Sequence, residues 1–223
     1  MPILLEACLD SAILARAAEQ GGAKRIELCD RLDVGGTTPS AALIRAVVEA
    51  VSIPVYAIVR PRGGDFVYTR VELDAMKRDA AAMKALGVAG IVVGVLNGDD
   101  TIDRRNTREV IESAGGLPAT FHLAFERAPD RGDALETLVE IGMERVLTKG
   151  GGPTALEGVD GLRALVERSA GRIAIMAGGG VREHNVGEIV RRGGVSEIHT
   201  RGLAVADILA GATAAASQPA HLV

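Results

Sequence analysis

Tryptophan is absent from this sequence, and aromatic residues amount to three phenylalanines and two tyrosines in 223 residues. Stacking platforms for bases or sugars are therefore scarce, and the core has to be built from Ala, Val, Ile and Leu. Cysteine is nearly as rare. Cys8 and Cys29 are the only two, too few for a secreted disulfide framework. No basic run stands out, and the formal net charge of −4 argues against a nucleic-acid partner. The longest apolar runs fall far short of a membrane span. The opening MPILLEACLDS carries Glu6 and Asp10 and lacks the basic region of a signal peptide. The expectation is a cytoplasmic protein that engages neither nucleic acid nor membrane. Missing too are GxSxG, a Walker sequence, HExxH and CxxC, so no familiar nucleophile, nucleotide or zinc signature guides the reading.

What is present is an alternation. Short apolar runs recur at 3–7 (ILLEA), 25–29 (RIELC), 53–60 (IPVYAIVR), 89–95 (AGIVVGV), 118–122 (PATFH), 144–148 (ERVLT), 172–177 (RIAIMA) and 196–200 (SEIHT). Between them apolar residues fall at helical spacing, as in Ala12, Leu14, Ala15 and Ala18, or Leu43, Val47, Val48 and Val51. Asp10-Ser11 and Thr38-Pro39 read as helix starts. Gly21-Gly22, Gly87, Gly115-Gly116, Gly142 and Gly193-Gly194 read as stops. One unit, helix–glycine–strand, thus repeats with no linker or change of composition. Eight strands alternating with helices imply a parallel sheet. An open doubly wound sheet is the alternative, but its strands would be more uniformly apolar, and CLDSAIL after the first strand carries no dinucleotide fingerprint. The expectation is an α/β fold: a single-domain (β/α)8 TIM barrel over residues 1–223.

Side chains alternate along a strand, so parity separates a helix-facing set from an axis-facing set. Leu5, Ala7, Ile26, Leu28, Val55, Ala57, Val59, Phe121 and Ile198 suit the helices. That sends Glu6, Cys8, Glu27, Cys29, Tyr56, Ile58, Arg60, Thr120, His122, Glu197 and His199 toward the axis, many of them near strand C-termini, where barrels carry their sites. A self-satisfied ionic network, with Arg60 neutralising Glu6 or Glu27, is the plain alternative, since buried charges must be paired.

Three constellations stand out. Arg60 and Arg62, in VRPRGGDF, can bind a carboxylate or phosphate, unless Asp65 holds Arg62 in a bidentate pair. Gly178, Gly179 and Gly180 follow the seventh strand, where exposed N–H groups beside a helix start can cradle an anion; a tight turn with positive φ explains them as well. Cys8 and Cys29 close the matching segments LEAC and IELC, so their sulfurs can approach and take up Cu(I), helped by His122 or His199. Buried thiols acting as small hydrophobes are the plain alternative.

GGAKRIELCDRLDVGGTTPS (21–40), IPVYAIVRPRGGDFVY (53–68), TFHLAFE (120–126), RVLTKG (145–150) and RIAIMAGGGV (172–181) resemble the CutC copper homeostasis family. The resemblance extends from Leu5 to about Thr200. It implies a TIM-type barrel, a cytoplasmic location, homo-oligomers and a link to copper, with Cys8 and Cys29 as ligands. Functional polar residues at the barrel mouth would fall on Glu6, Glu27, Arg60, Arg62, Asp65 and His122. Two positions depart from the family pattern: Leu123 stands where an arginine is usual, and Lys149 where a small hydroxyl residue is usual. By parity Leu123 should face the helices.

Two functions compete. One is a Cu(I)-binding protein using Cys8 and Cys29. The other is an enzyme for a small anionic or phosphorylated metabolite, with Arg60, Arg62 and the 178–180 loop on the anion, and Glu27, His122, Arg60 and Asp65 in the catalytic machinery. A scaffold without chemistry explains none of the inward charges.

Overall fold

The structure is a computed structural model that describes residues 3–201 and 204–216. The outermost residues of the expected 1–223 domain therefore lie outside the described residues. Strand β1 (Leu4–Leu9) leads through α1 (Ala12–Gln20) to β2 (Arg25–Leu28), and α2 (Ala41–Val48) to β3 (Val55–Ile58). Helix α3 (Arg70–Met83) connects to β4 (Gly90–Val93), then α4 (Arg104–Ser113) to β5 (Ala119–Phe121). Helix α5 (Arg131–Ile141) precedes β6 (Arg145–Thr148), and α6 (Val159–Ser169) precedes β7 (Ala174–Ala177). The chain continues through α7 (Val186–Gly193) and β8 (Glu197–Arg201) to α8 (Val205–Ala216). All eight strands pair in parallel and in chain order, and β8 pairs with β1 to close a barrel.

Parity explains how the two faces are used. Leu5, Ala7, Ile26, Leu28, Ala57, Phe121 and Ile198 join the large apolar cluster between sheet and helices. Each such burial contributes on the order of 1.5–3 kcal/mol for a large side chain. A second, smaller cluster lies within the barrel: Cys8, Cys29, Tyr56, Ile58 and Val92, with Leu32 packed against them.

Local chemistry sets the ends of the helices. Ser11 caps α1 by accepting from the Leu14 N–H, and Thr69 and Glu72 form a reciprocal capping box at α3. Helix α2 begins later than the Thr38-Pro39 start expected from sequence. Its cap is Ser40, and the Thr38 hydroxyl instead accepts from the Arg60 N–H at 2.9 Å. That bond ties the loop after β2 to the end of β3, beside the mouth of the barrel.

Candidate metal and ligand site

The axis of the barrel holds two polar layers, and only the upper one was fully read from the sequence. At the floor, Arg25 and Arg145 project inward from the first positions of β2 and β6. Arg25 pairs with Glu6, and its Nη2 lies 2.5 Å from Glu197. Arg145 reaches the same Glu197 carboxylate at 3.0 Å and Glu144 at 2.8 Å. Both guanidiniums lie over the Tyr56 ring, at 5.3 and 5.1 Å from its centroid. Sequence reasoning passed over both arginines, although parity places Arg25 in phase with Glu27.

Glu6 links floor to mouth. One of its oxygens meets Arg25 and the other lies 2.9 Å from His199 Nδ1. Burial alone would raise the Glu6 carboxyl, but the His199 hydrogen bond and the Arg25 charge hold it at about 2. His199 responds in the opposite sense. Burial disfavours its charge, yet bonds to Cys8 and Glu6 and the charge of Glu27 raise it well above the usual histidine value.

Above Glu6 the two cysteines meet. Their Sγ atoms are 3.8 Å apart, as the matching strand ends suggested. The bond from Cys29, reinforced by His199, outweighs burial and brings the Cys8 thiol down to about 5. That same contact, together with burial, pushes Cys29 well up. Burial and the Cys8 charge push the neighbouring Glu27 carboxyl up as well. The pair is thus split, Cys8 lowered toward the thiolate and Cys29 held as a thiol beside it, while His199 and Glu27 both stand above their ordinary values. One donor atom each from Cys8, Glu27 and His199 lies within 4.8 Å of the others. Gly36, at φ 89°, passes so close that a β-carbon there would stand 3.0 Å from Cys29 Sγ; only glycine meets both conditions.

These groups line one side of a cavity of about 190 Å³ at the C-terminal mouth. Leu32, Gly35, Ile58, Arg60, Phe66, His122, Leu123, Leu147 and Arg201 complete its wall. Arg60 is buried, and its two terminal nitrogens donate to the carbonyls of Val34, Gly35, Gly36 and Gly64. Its planar face lies 4.8 Å from the Phe66 centroid. His122 accepts from the Ala124 N–H through Nδ1. Burial and the adjacent Arg60 charge lower His122 to about 3, so its ring is neutral. Gly94 makes room for that ring, since a β-carbon there would fall 2.3 Å from it.

Not every expected residue reaches this cavity. Arg62 turns outward: its Nε bonds Glu72 at 2.6 Å and its Nη2 bonds Asp65 at 2.9 Å. The Asp65 pairing exists, but through a single bond rather than a bidentate pair. Gly178, Gly179 and Gly180 stand outside the cavity wall. Gly179 and Gly180 take positive φ, and α7 begins only at Val186, so the glycines form a turn and do not adjoin a helix start. Leu123 corrects a parity argument. Strand β5 ends at Phe121 and a 3-10 turn over Leu123–Arg127 follows, so alternation no longer applies and Leu123 faces the cavity. Lys149 extends over Gly179 and donates to the Pro153 carbonyl.

The fold and this site define a (β/α)8 barrel whose axial mouth gathers two sulfurs, an imidazole and a carboxyl group in one small cavity. A sequence model of the CutC family matches residues 3–203. A CutC family protein of Caulobacter vibrioides is 47% identical over 197 residues, covering 88% of this chain and 80% of its own. The human copper homeostasis protein cutC homolog is 44% identical over 196 residues, covering 88% and 72%. A crystal structure of CutC from Streptococcus agalactiae superposes with a TM-score of 0.84 at 35% identity, covering 88% of this chain and 97% of that one. The chain belongs to the CutC family.

Proposed function

We propose that this protein takes part in copper homeostasis by holding Cu(I) as cargo at the barrel mouth. Cys8 and Cys29 are the principal ligands and His199 the third. The observation that carries this reading is the 3.8 Å approach of two sulfurs beside an imidazole in a cavity that a small ion can enter. Thiolate and imidazole donors suit a soft monovalent ion better than a hard one. A carboxylate-rich site would point the other way, and Glu27 is the only acidic residue of the wall among the described residues.

Each residue has a part in binding. The Cys8 thiolate supplies a ready ligand. Cys29 and His199 release protons as they bind, so affinity rises with pH. Glu6 engages His199 through Nδ1 and so fixes the ring, the orienting role that carboxylates play behind metal-bound histidines. We place this chemistry in the cytoplasm, where reduced thiols persist.

Competition titration of Cu(I) against a chromophoric chelator tests the proposal. Cys8→Ala/Cys29→Ala should abolish competition, and Cys29→Ala alone should weaken it severely. An affinity unchanged in the double variant would end the thiolate reading.

A further inference from the structure

Two sulfurs and an imidazole suffice for Cu(I), which leaves the buried carboxyl group of Glu27 beside them without a part. Glu27 on β2 stands in register with Cys8 on β1, and His199 on β8 stands in register with Glu6 on β1. Parity turns all three side chains of this group, Cys8, Glu27 and His199, toward the axis. One donor atom from each lies within 4.8 Å of the other two. Cys29 touches Cys8 at 3.8 Å but stands outside that mutual group.

A buried carboxyl group is costly unless it is paired or holds a cation. Among the described residues no lysine or arginine lies within ion-pair range of Glu27; its one such contact is the His199 ring. At the floor, by contrast, Glu6 and Glu197 each have an arginine. Access is open as well. Cys8 and His199 each keep 9% of their surface exposed, and all three residues line the cavity. Behind them Glu6 bonds His199 at 2.9 Å, as outer-shell carboxylates do for metal-bound histidines.

We infer that Cys8, Glu27 and His199 form a three-ligand site for Zn(II), with its fourth position open to the cavity. The donor set decides the metal. Cu(I) selects sulfur and magnesium or calcium select oxygen, whereas zinc takes sulfur, nitrogen and oxygen together. Tetrahedral zinc, about 2.0–2.3 Å from each ligand, spaces its ligands about 3.3–3.8 Å apart. Side-chain rotations of about 1 Å bring the trio to that spacing without moving a strand. Three protein ligands and one free position are the arrangement of zinc centres that keep a place for water or a ligand. The site deepens the copper reading, because the mouth then sorts metals by ligand: a soft ion on the two sulfurs, a borderline divalent ion on the mixed trio. Cys8 belongs to both sets, so one ion excludes the other. The zinc site needs neither Cys29 nor bound copper.

Co(II) stands in for zinc and reports its ligands by colour. Four-coordinate cobalt gives intense visible bands, and a cobalt–thiolate bond adds a near-ultraviolet band. Titrated into reduced, metal-free protein, one Co(II) per chain should produce both, and Zn(II) should bleach them. Glu27→Gln keeps the shape of the side chain and removes its anionic oxygen. It should weaken Co(II) and Zn(II) by more than about tenfold and leave Cu(I) competition unchanged, which also reports that the variant is folded. Cys29→Ala should do the reverse, losing Cu(I) while keeping the cobalt bands. Three results would each overturn the zinc site: no cobalt–thiolate band up to about 1 mM Co(II), equal Co(II) affinity in wild type and Glu27→Gln, or loss of the bands in Cys29→Ala as complete as in Glu27→Gln. A wild type that shows the cobalt bands and fails Cu(I) competition would end the copper reading instead and leave the zinc site standing.

Discussion

The two ends of the barrel axis are built from similar residues and completed differently. The floor sets Arg25 and Arg145 against Glu6, Glu197 and Glu144, with Tyr56 beneath both guanidiniums, and every charge there meets an opposite one. The mouth sets Arg60 against carbonyl oxygens and the Phe66 ring, with no carboxylate in ion-pair range among the described residues. A finished network is a structural plug, whereas an unfinished one beside a cavity is a place for something else to bind. Buried polar residues by themselves do not mark a site; what separates the ends is whether the charges are paired.

The largest effect that tests this contrast belongs to the floor. Arg25→Met removes a buried cation from between two carboxylates and should cost about 3–5 kcal/mol of folding stability, read from urea unfolding curves. A loss under about 1 kcal/mol would mean that the floor charges are not mutually dependent. Acid sharpens the same point. The Glu6 carboxyl is held at about 2 against an ordinary 4.5, so its contribution is complete above 4.5 and is lost as pH falls from there toward 2. That gap corresponds to roughly 3 kcal/mol. The stability difference between wild type and Glu6→Gln should accordingly shrink across this acid window and stay level from pH 5 to 6. A difference that stays constant down to pH 2 would remove the ion pair from the account.

The mouth should behave in the reverse manner. Cys8→Ala/Cys29→Ala exchanges two sulfurs for hydrogen in a site not fully packed, and should cost no more than about 2 kcal/mol in stability while abolishing Cu(I) binding. In the wild type, iodoacetamide near pH 7 should label Cys8 before Cys29, because only the former has its thiol lowered. Peptide mass mapping of a partial reaction reads the order directly, and preferential labelling of Cys29 would invert the assignment of the thiolate.

Strand parity made most of this legible in advance. Glu6, Cys8, Glu27 and His199 lie within strands, and the alternation carries over to Cys29 and His122, one residue past β2 and β5, and to Arg60, two past β3. It failed where the backbone turned into a helix. Leu123 follows the end of β5 and enters a 3-10 turn, so alternation sent it to the wrong side. Arg62 was unreadable for a related reason. It lies in a loop, and the partner that turns it outward, Glu72, sits ten residues later on a helix whose packing angle no local pattern reveals. Arg25 was legible but passed over, since a charge at the first position of a strand looks like a solvent-exposed end until the barrel closes above it.

Arg62 also supplies the smallest expected effect, and the one that most cleanly separates resemblance from role. Its partners Asp65 and Glu72 lie at the surface, where such pairs contribute about 0–1 kcal/mol. Arg62→Ala should therefore lower stability by less than about 1 kcal/mol and leave Cu(I) competition unchanged. Its closeness in sequence to Arg60 would then carry no functional weight, because one arginine is turned into the cavity wall and the other away from it. Should Arg62→Ala weaken Cu(I) competition as severely as Cys29→Ala does, the loop after β3 must fold over the mouth when the ion arrives, and the boundary drawn between the cavity wall and the exterior would have to move outward to include it.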